Sequence, residues 1–393
     1  MNWLYIAWKN LGAKKLQTAL SLILLAFGVG MVSLLMLSEK QLRETFERNI
    51  QDIDLVLGAK GSPLQLILAN VYHVDAPTGN IRLADAEKVI RHPYIAEGIP
   101  LAYGDNYRGF RIVGSTLAYP QHYDATLQSG EWWKNPFEVV VGSKVAATDG
   151  LQVGDTFFSA HGLQDETDVH MDKTFVVVGI MEESRSVMDQ LILCNIETIW
   201  QVHGDDGDVL DADREITAVL LKKRNPLAVL TIPNVIRETN MQVALPSIEI
   251  NRLTQNFGIG MNTLRMIAGL IMLLSFASIF ISVYDSLLAR RYELALMRTM
   301  GASPRGLYVS LLLEGGLLSL GGAILGLLLS RGGMVLLAQL VADKFRYDWE
   351  SLGLLTAEGA LVGLAIFVGL VAAAIPGISA LRMDISRTLS DSP

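Results

Sequence analysis

Two polar loops bring histidines and carboxylates close enough in sequence to suggest metal chemistry. His161 and His170 share one loop with four acidic residues, and His203 precedes three aspartates in the other. Imidazole and carboxylate groups bind borderline and hard divalent cations. Neither loop has the glycine and glutamate positions of an EF-hand, nor a helical HxxxH pair. We therefore interpret both as solvated loops and predict no metal site, with metal-linked transport left as an alternative.

The other polar motifs do not define a catalytic site. The segment "GAKGSP", starting at Gly58, has the glycines and lysine of a phosphate-binding loop but lacks the GxxxxGK[ST] spacing, so it is interpreted as a turn. Serine, histidine and acidic residues occur, but their presence gives no catalytic geometry. In "YHVDAPTGN", His73 and Asp75 precede a Pro/Gly turn among apolar neighbours. They make either a functional contact or, preferably, turn chemistry that closes the fold. The chain is predicted not to be an enzyme.

The elements that carry these residues belong to a membrane protein. Of 393 residues, 51% are hydrophobic and 18% are charged, and the mean hydropathy is +0.35, which is high for a soluble chain. Four windows hold the roughly 20 apolar residues that a helix needs to cross a bilayer. They are residues 16–37, 263–284, 307–330 and 356–376.

Basic residues set the predicted orientation. Lysines precede the first span, and arginines follow the second and the fourth. The positive-inside rule then places both termini and the loop of residues 285–306 in the cytoplasm. The block of residues 40–260 and the short loop of residues 331–355 fall outside. The outer block is acidic and accounts for the net charge of −8, which argues against nucleic-acid binding.

Helical periodicity continues beyond the membrane spans. Residues 1–37 combine an interfacial helix, rich in tryptophan and lysine, with the first span. Apolar residues then recur at spacings of three and four, which predicts a stalk helix over residues 38–57. A return stalk over residues 241–262 leads into the second span. Residues 377–393 form a cytoplasmic tail.

Between the stalks, residues 58–240 change to short β-branched runs separated by turns. Strands are predicted at "FRIVGS", "EVVVGSKVA", "GDTFFSA", "KTFVVVGIM", "LILCN" and "ITAVLLKK", and helices near residues 64–71, 83–90 and 226–239. Cys194 in "LILCN" is the only cysteine and is predicted to be a buried thiol. The fold class is therefore an α-helical integral membrane protein with four transmembrane helices plus a large extracytoplasmic α+β ectodomain on helical stalks.

Small and charged residues inside the spans predict how the helices pack. Gly322 and Gly326 form one GxxxG motif, and Gly359 and Gly363 form another, so close packing is expected within the chain or with a second copy. Glu314 lies about two turns into the third span, where an ionised carboxylate is costly unless it is paired. We expect it to pair with an arginine near the cytoplasmic interface, Arg298 or Arg305.

The segment "RRYELALMRTMGASPRG", Arg290 to Gly306, predicts a short helix between two spans. Tyr292, Leu296 and Met300 fall on one stripe, and Gly301 ends the helix before Ser303-Pro304 starts the next. An apolar ridge rimmed by charge suggests a docking surface. Ordinary interfacial anchoring by arginine is the alternative.

These residues also carry a family resemblance. "RRYELALMRTMGASPRGLYVSLLLEGGLLSLGGAILGLLLS" resembles the C-terminal signature of FtsX/MacB-type ABC transporter permeases. "VVVGSKVAATDGLQVGDTF" followed by "FVVVGIM" is similar to part of the MacB-like periplasmic core domain. The resemblance covers essentially the whole chain.

The resemblance implies a four-helix permease of the inner (cytoplasmic) membrane with a periplasmic ectodomain. Such permeases form dimers, here expected to be homodimers, and bind two copies of a separate ABC ATPase that holds ATP and magnesium, so no cofactor is expected on this chain. The ATPase-coupling helix then comprises Arg291, Tyr292, Glu293, Leu296, Met297, Arg298 and Gly301. The implied mechanism is mechanotransmission through the stalks.

Three functions stay open at this stage. The leading one is extraction or export of a lipoprotein or other hydrophobic substrate, with a periplasmic or lipoprotein partner. The second is a transmembrane signalling scaffold that activates an envelope partner such as a cell-wall hydrolase, and the third is metal-linked transport. The segment "GAKGSPLQLILANVYHVDAPTGN" departs from the best-known family members, so their substrates are not carried over.

Overall fold

The structure, a computed structural model, describes residues 3–160, 169–203, 214–345 and 353–381. Among these residues, the chain divides into two compact units. A helical unit contains residues 3–42, 257–344 and 353–381, and a sheet unit contains residues 43–256 with the two gaps noted.

The described residues form twelve α-helices and twelve strands. The helices are α1 Trp3–Ala13, α2 Lys15–Asn49, α3 Pro63–Asn70, α4 Leu83–Ile90, α5 Ala118–His122, α6 Ser143–Asp149, α7 Ile196–His203, α8 Ala228–Val235, α9 Pro246–Ala289, α10 Arg291–Thr299, α11 Pro304–Phe345 and α12 Thr356–Leu381. The strands are β1 Leu55–Ala59, β2 Ile81–Arg82, β3 Ile95–Tyr107, β4 Phe110–Ser115, β5 Leu127–Gly130, β6 Glu138–Val141, β7 Thr156–Ala160, β8 Val169–Met181, β9 Leu191–Asn195, β10 Glu215–Ile216, β11 Ala218–Lys223 and β12 Met241–Ala244.

Helices α2, α9, α11 and α12 are long and apolar enough to cross a membrane, which confirms the four predicted spans. Their inward faces meet in one cluster of buried aliphatic side chains, to which α10 also contributes Leu294. Two boundaries differ from the prediction. Helix α11 continues to Phe345, so the predicted outer loop of residues 331–355 begins as helix, and α12 extends past residue 376 to Leu381. Residues 382–393 of the predicted tail lie outside the described part.

One of the two GxxxG motifs packs inside the helical unit. A Cβ on Gly326 would lie 2.9 Å from the carbonyl oxygen of Ala26 and 3.0 Å from the backbone nitrogen of Gly30, so α11 and α2 touch backbone to backbone. A Cβ on Gly322 would meet Leu25 at 2.7 Å. Gly359 and Gly363 face open space in the described structure.

The sheet unit is built on one ten-stranded mixed sheet with the order β12-β1-β11-β3-β4-β9-β6-β8-β5, in which β7 also pairs with β3 and β8. Most pairs are antiparallel, but β4 with β9 and β6 with β8 are parallel. Buried clusters cover both faces of this sheet, and β1 is buried along its whole length. The result is a large domain of strands and helices, as expected from the predicted α+β ectodomain.

Both predicted stalk helices were too long at their ectodomain ends. Helix α2 ends at Asn49, and residues 55–57 of the predicted stalk 38–57 lie in β1 between β11 and β12. The side chain of Asn49 accepts a hydrogen bond from the backbone of Val187, and Asp52 has a φ of 60°, which turns the chain away from helical geometry. On the return side, residues 241–244 of the predicted stalk 241–262 form β12, and α9 starts at Pro246.

Elsewhere in the ectodomain the strand and helix predictions largely hold. The helix predicted at residues 83–90 is α4, whereas the one predicted at 226–239 is shorter, at Ala228–Val235. "EVVVGSKVA" is a strand only to Val141, because Gly142 is the N-cap of α6, which starts at Ser143. The longest unpredicted strand is β3, whose glycines and proline break the β-branched pattern.

Much of the two histidine loops lies outside the described residues. His161 and residues 204–213 lie outside it, as do the side chains of His170 and His203. Within the residues that are described, no group of three His, Cys, Asp or Glu side chains is placed to hold a metal ion.

Candidate docking helix

Helix α10 is a short, separately capped helix between α9 and α11. Arg290 directly precedes this helix, and its guanidinium donates a hydrogen bond to the carboxylate of Glu293 at 2.9 Å. Gly301 follows it with a φ of +97°, and the backbone nitrogen of Ala302 donates to the carbonyl of Met297 over 2.9 Å. Ser303 then caps α11 by accepting from the backbone of Gly306. Gly301 therefore ends α10, and Ser303-Pro304 starts α11, as the sequence predicted.

The two faces of α10 differ sharply in exposure. Leu294 and Ala295 are buried in the helical unit. On the opposite side, Tyr292, Leu296 and Met300 are 51%, 44% and 73% exposed. Their spacing of four residues places them on one stripe, which we call the α10 ridge. Three large apolar side chains in a row, flanked by charge, form a surface suited to another protein.

The structure assigns the predicted coupling residues to different faces. Arg291 and Glu293 are exposed beside the ridge, while Arg298 is half-buried. Met297 was expected among the docking residues, but it is half-buried and packs against the helical core. Its position follows from the helical period, because it lies one residue past the ridge and three after Leu294.

Behind α10, Glu314 connects four helices. Its carboxylate accepts a hydrogen bond from the amide of Asn10 on α1 and lies 4.0 Å from the guanidinium of Arg290. The expected partners, Arg298 and Arg305, are not the ones found for Glu314 among the described contacts. Arg290 takes this place because it ends the α9–α10 corner directly over the carboxylate, which is 3% exposed.

Helix α1 completes the support of α10. The indole of Trp3 lies so close to Gly306 that a Cβ there would be 2.3 Å from the ring. Trp3, Asn10, Arg290, Met297 and Glu314 line one small cavity at this junction. We call these contacts the Glu314 network. They connect the N-terminal helix and the corner before α10 to α11.

A second pair of buried charged side chains links α11 to α12. Arg331 on α11 donates two hydrogen bonds to Glu358 on α12, at 2.8 and 2.6 Å. Ser33 on α2 donates to the same carboxylate at 2.5 Å. Sequence reasoning missed this pair, because Arg331 and Glu358 are 27 positions apart and lie on different helices.

His73 is half-buried in the ectodomain, beside Tyr103 and Tyr119. The Tyr103 hydroxyl donates to the carbonyl of Ala69, so it accepts from Nδ1 of His73 at 2.8 Å. Nε2 of His73 then accepts from the hydroxyl of Tyr119 at 2.7 Å. Burial and the nearby Arg111 guanidinium hold the pKa of His73 well below its usual value.

Asp75 takes part in the same turn. Its carboxylate accepts from the backbone of Ala76 at 2.7 Å, and its carbonyl accepts from Arg111 at 2.8 Å. The guanidinium of Arg111 also stacks over the ring of Tyr103. These contacts hold the turn against β3 and β4, and a functional role for His73 and Asp75 stays a prediction.

A bundle of four candidate spans, with an exposed helix between the second and third and a mixed-sheet domain between the first and second, defines a membrane protein with an extracytoplasmic domain. Residues 18–229 match the MacB-like periplasmic core domain, and residues 265–385 match the FtsX-like permease C-terminal family. The chain therefore belongs to the ABC transporter permeases of the MacB/FtsX type.

Two relatives extend over nearly the whole chain. An uncharacterized ABC transporter permease of Methanocaldococcus jannaschii is 23% identical and aligns with 98% of this chain and 96% of its own length. An uncharacterized ABC transporter permease protein of Mycobacterium tuberculosis is 24% identical over 98% of this chain. The chain spans only 44% of the length of that second relative.

Among solved structures, the periplasmic region of MacB from Actinobacillus actinomycetemcomitans is similar with a TM-score of 0.35 and 11% identity, over 53% of this chain and 96% of that one. The extracellular domain of a noncanonic ABC-type transporter from Gram-positive bacteria gives a TM-score of 0.31 and 12% identity, over 48% of this chain and 98% of that one.

Proposed function

We propose that this chain is a non-catalytic permease subunit whose α10 ridge docks into a separate ABC ATPase, which holds the ATP and magnesium. The observation that carries the proposal is the ridge itself. Tyr292, Leu296 and Met300 are exposed on a helix that the Glu314 network holds rigidly against the spans. Interfacial anchoring alone would not require this second layer of polar contacts behind the helix.

The long helices support mechanotransmission as the mechanism. Helix α2 has 35 residues and α9 has 44, and both run without a break from an apolar span into residues of the sheet unit. At about 1.5 Å per residue they measure roughly 50 and 65 Å, well beyond a hydrocarbon layer of about 30 Å. Movement of α10 would reach α9 directly through Arg290, and reach α2 through α1 and the Glu314 network.

A homodimer that binds two ATPase copies is the proposed assembly. Only 28% of the apolar window of α9 is buried within the chain, against 50% for α2. Leu270, Leu273 and Leu274 on α9 are each at least 60% exposed. The same span of a second copy would cover this face, because symmetric homodimers pair identical surfaces. The Gly359 and Gly363 motif on α12 stays open as a second packing surface.

The proposed substrate is a lipoprotein or other hydrophobic molecule, handled at the outer face of an inner membrane with both chain termini in the cytoplasm. Metal-linked transport stays the third candidate, because the side chains of His161, His170 and His203 lie outside the described residues. Signalling to an envelope partner uses the same transmission and remains the second candidate. Substrate-stimulated ATP hydrolysis separates the two, because a pure signalling scaffold would respond to its protein partner alone.

The test of docking uses Leu296→Glu, which places a charge on the exposed ridge without disturbing the core. We expect co-purification with the candidate ATPase to fall at least about ten-fold, equivalent to about 1.4 kcal/mol, and the permease stimulation of ATP hydrolysis to disappear. Leu230→Glu is the matched control, since Leu230 is 69% exposed on α8 of the ectodomain. Equal ATPase binding by the two variants would refute the docking proposal.

A further inference from the structure

An apolar groove of about 430 Å³ lies between α1, α2 and α11. This volume is within the range of about 300–1,000 Å³ that is usual for ligand sites. The walls carry leucines from all three helices: Leu11, Leu22, Leu317 and Leu318. Its lining contains one charged side chain, Lys15, at the start of α2. The docking helix α10 contributes nothing to this lining.

The depth of the groove comes from small residues. Gly12 on α1, Ala19 on α2 and Gly321 on α11 line it where larger side chains would fill the space. A Cβ on Gly12 would meet nothing within 4 Å. The groove is therefore open space between the three helices, and Leu11, Leu22 and Leu318 on its walls belong to the apolar cluster of the helical unit.

The surroundings of the groove suit a lipid from the bilayer rather than a ligand from water. Trp8 lines its α1 side and is 66% exposed, the position of an aromatic residue at a membrane interface. On α2, the large apolar side chains Leu16, Leu20 and Ile23 are each more than half exposed along the span. An occupant with an apolar body can therefore enter sideways from the bilayer.

The lysines near the groove favour a lipid with an anionic headgroup. The first 38 residues contain three lysines, Lys9, Lys14 and Lys15, and no acidic residue. Lys15 is exposed and lines the groove, while Lys9 is exposed on α1 next to Trp8. A juxtamembrane cluster of this type attracts anionic headgroups.

We propose that this groove binds one anionic phospholipid, with an acyl chain between α1, α2 and α11 and the phosphate beside Lys15. The site is separate from the α10 ridge and does not depend on the docking proposal. Because α1 forms one wall of the groove and also supplies Asn10 to the Glu314 network, bound lipid would hold α1 in its place.

Native mass spectrometry of the full chain in detergent tests the proposal with phosphatidylglycerol and phosphatidylcholine of identical acyl chains. The unmodified protein should retain one phosphatidylglycerol with at least about five-fold higher affinity than phosphatidylcholine, as expected for one basic group near an anionic headgroup. Lys15→Gln should abolish that preference. Arg305→Gln removes an exposed positive charge outside the groove and should leave it intact.

Filling the groove gives an independent arm. Gly12→Leu occupies the vacancy and replaces a poor helix former, so the protein should fold while retaining neither lipid. Gly332→Leu is the matched control, because its Cβ also meets nothing within 4 Å and it lies outside the groove. If Gly12→Leu lowers stability, Ala19→Leu replaces it.

Three results would overturn the proposal. The first is equal retention of both lipids with no effect of Lys15→Gln, which describes ordinary bilayer contact. The second is unchanged phosphatidylglycerol binding in the groove-filling variants. The third is a lipid-free dimer that Gly12→Leu dissociates, which would make a second copy of the chain the occupant.

Discussion

The Arg331–Glu358 pair makes the sharpest prediction about stability. Glu358 lies in the first turn of α12, and its side chain is 2% exposed, while that of Arg331 is 13% exposed. The carboxylate accepts two hydrogen bonds from Arg331, one from Ser33 and one from the backbone of Leu355 at 2.9 Å. Three helices and the chain before α12 therefore converge on one side chain.

Glu358→Gln keeps the size of the side chain but leaves the guanidinium of Arg331 without a counter-charge. Breaking a fully buried pair in this way costs about 3–5 kcal/mol. Because Arg331 retains some exposure and also donates to the carbonyl of Gly353 at 3.0 Å, we expect a smaller loss than for a fully buried pair, about 2–3 kcal/mol. Removing both charges should cost less than the sum of the single changes, since no uncompensated charge is then left.

The assay is a double-mutant cycle on the purified protein in detergent, using the free energy of unfolding from denaturant titration. The variants are Glu358→Gln, Arg331→Gln and their combination. We expect an interaction energy of about 1–3 kcal/mol between the two sites. An interaction energy below about 0.5 kcal/mol, with additive single effects, would show that the pair does not hold these helices together.

Three further predictions concern buried sites. The pKa of His73 is lowered in the folded ectodomain, so the unfolded chain takes up the proton first as the pH falls. The free energy of unfolding should therefore decrease by up to about 1.4 kcal/mol per pH unit below about pH 6.5. The unfolding temperature of His73→Gln should depend less on pH than that of the unmodified protein. Gly326→Ile should lose about 1–3 kcal/mol or more in denaturant unfolding because its side chain meets backbone, whereas Gly363→Ile has room and should not. Burial raises the pKa of Cys194 to about 12, so a maleimide should label it only after unfolding, and rapid native labelling would contradict the fold.

Local signals were sufficient to predict helix α10. Arg290 to Gly306 contains a helical apolar stripe, a glycine that adopts a positive φ and a proline at the first position of the next helix. Each of these depends only on neighbours in sequence, so no tertiary information was needed. The four spans were predictable for the same reason, since length and apolar composition decide them.

Contacts between distant segments could not be predicted in this way. Glu314 pairs with Asn10 across 304 positions, and nothing in the sequence placed α1 beside α11. The first stalk was predicted to end too late because Ile53 and Leu57 continue the helical spacing, although burial on both faces of a sheet makes residues 55–57 part of a strand. The apolar period alone cannot distinguish these outcomes over a few residues.

The central claim is that the α10 ridge contacts an ATPase, and site-specific crosslinking tests it most directly. Cys194 is the only cysteine and is buried, so Leu296→Cys supplies a single reactive thiol on the ridge, with Leu230→Cys as the matched exposed control. We expect a photoactivatable maleimide at position 296 to crosslink to the ATPase, and the ATPase to protect this thiol from labelling. Equal labelling with and without the ATPase, and no more crosslinking than at position 230, would contradict the account.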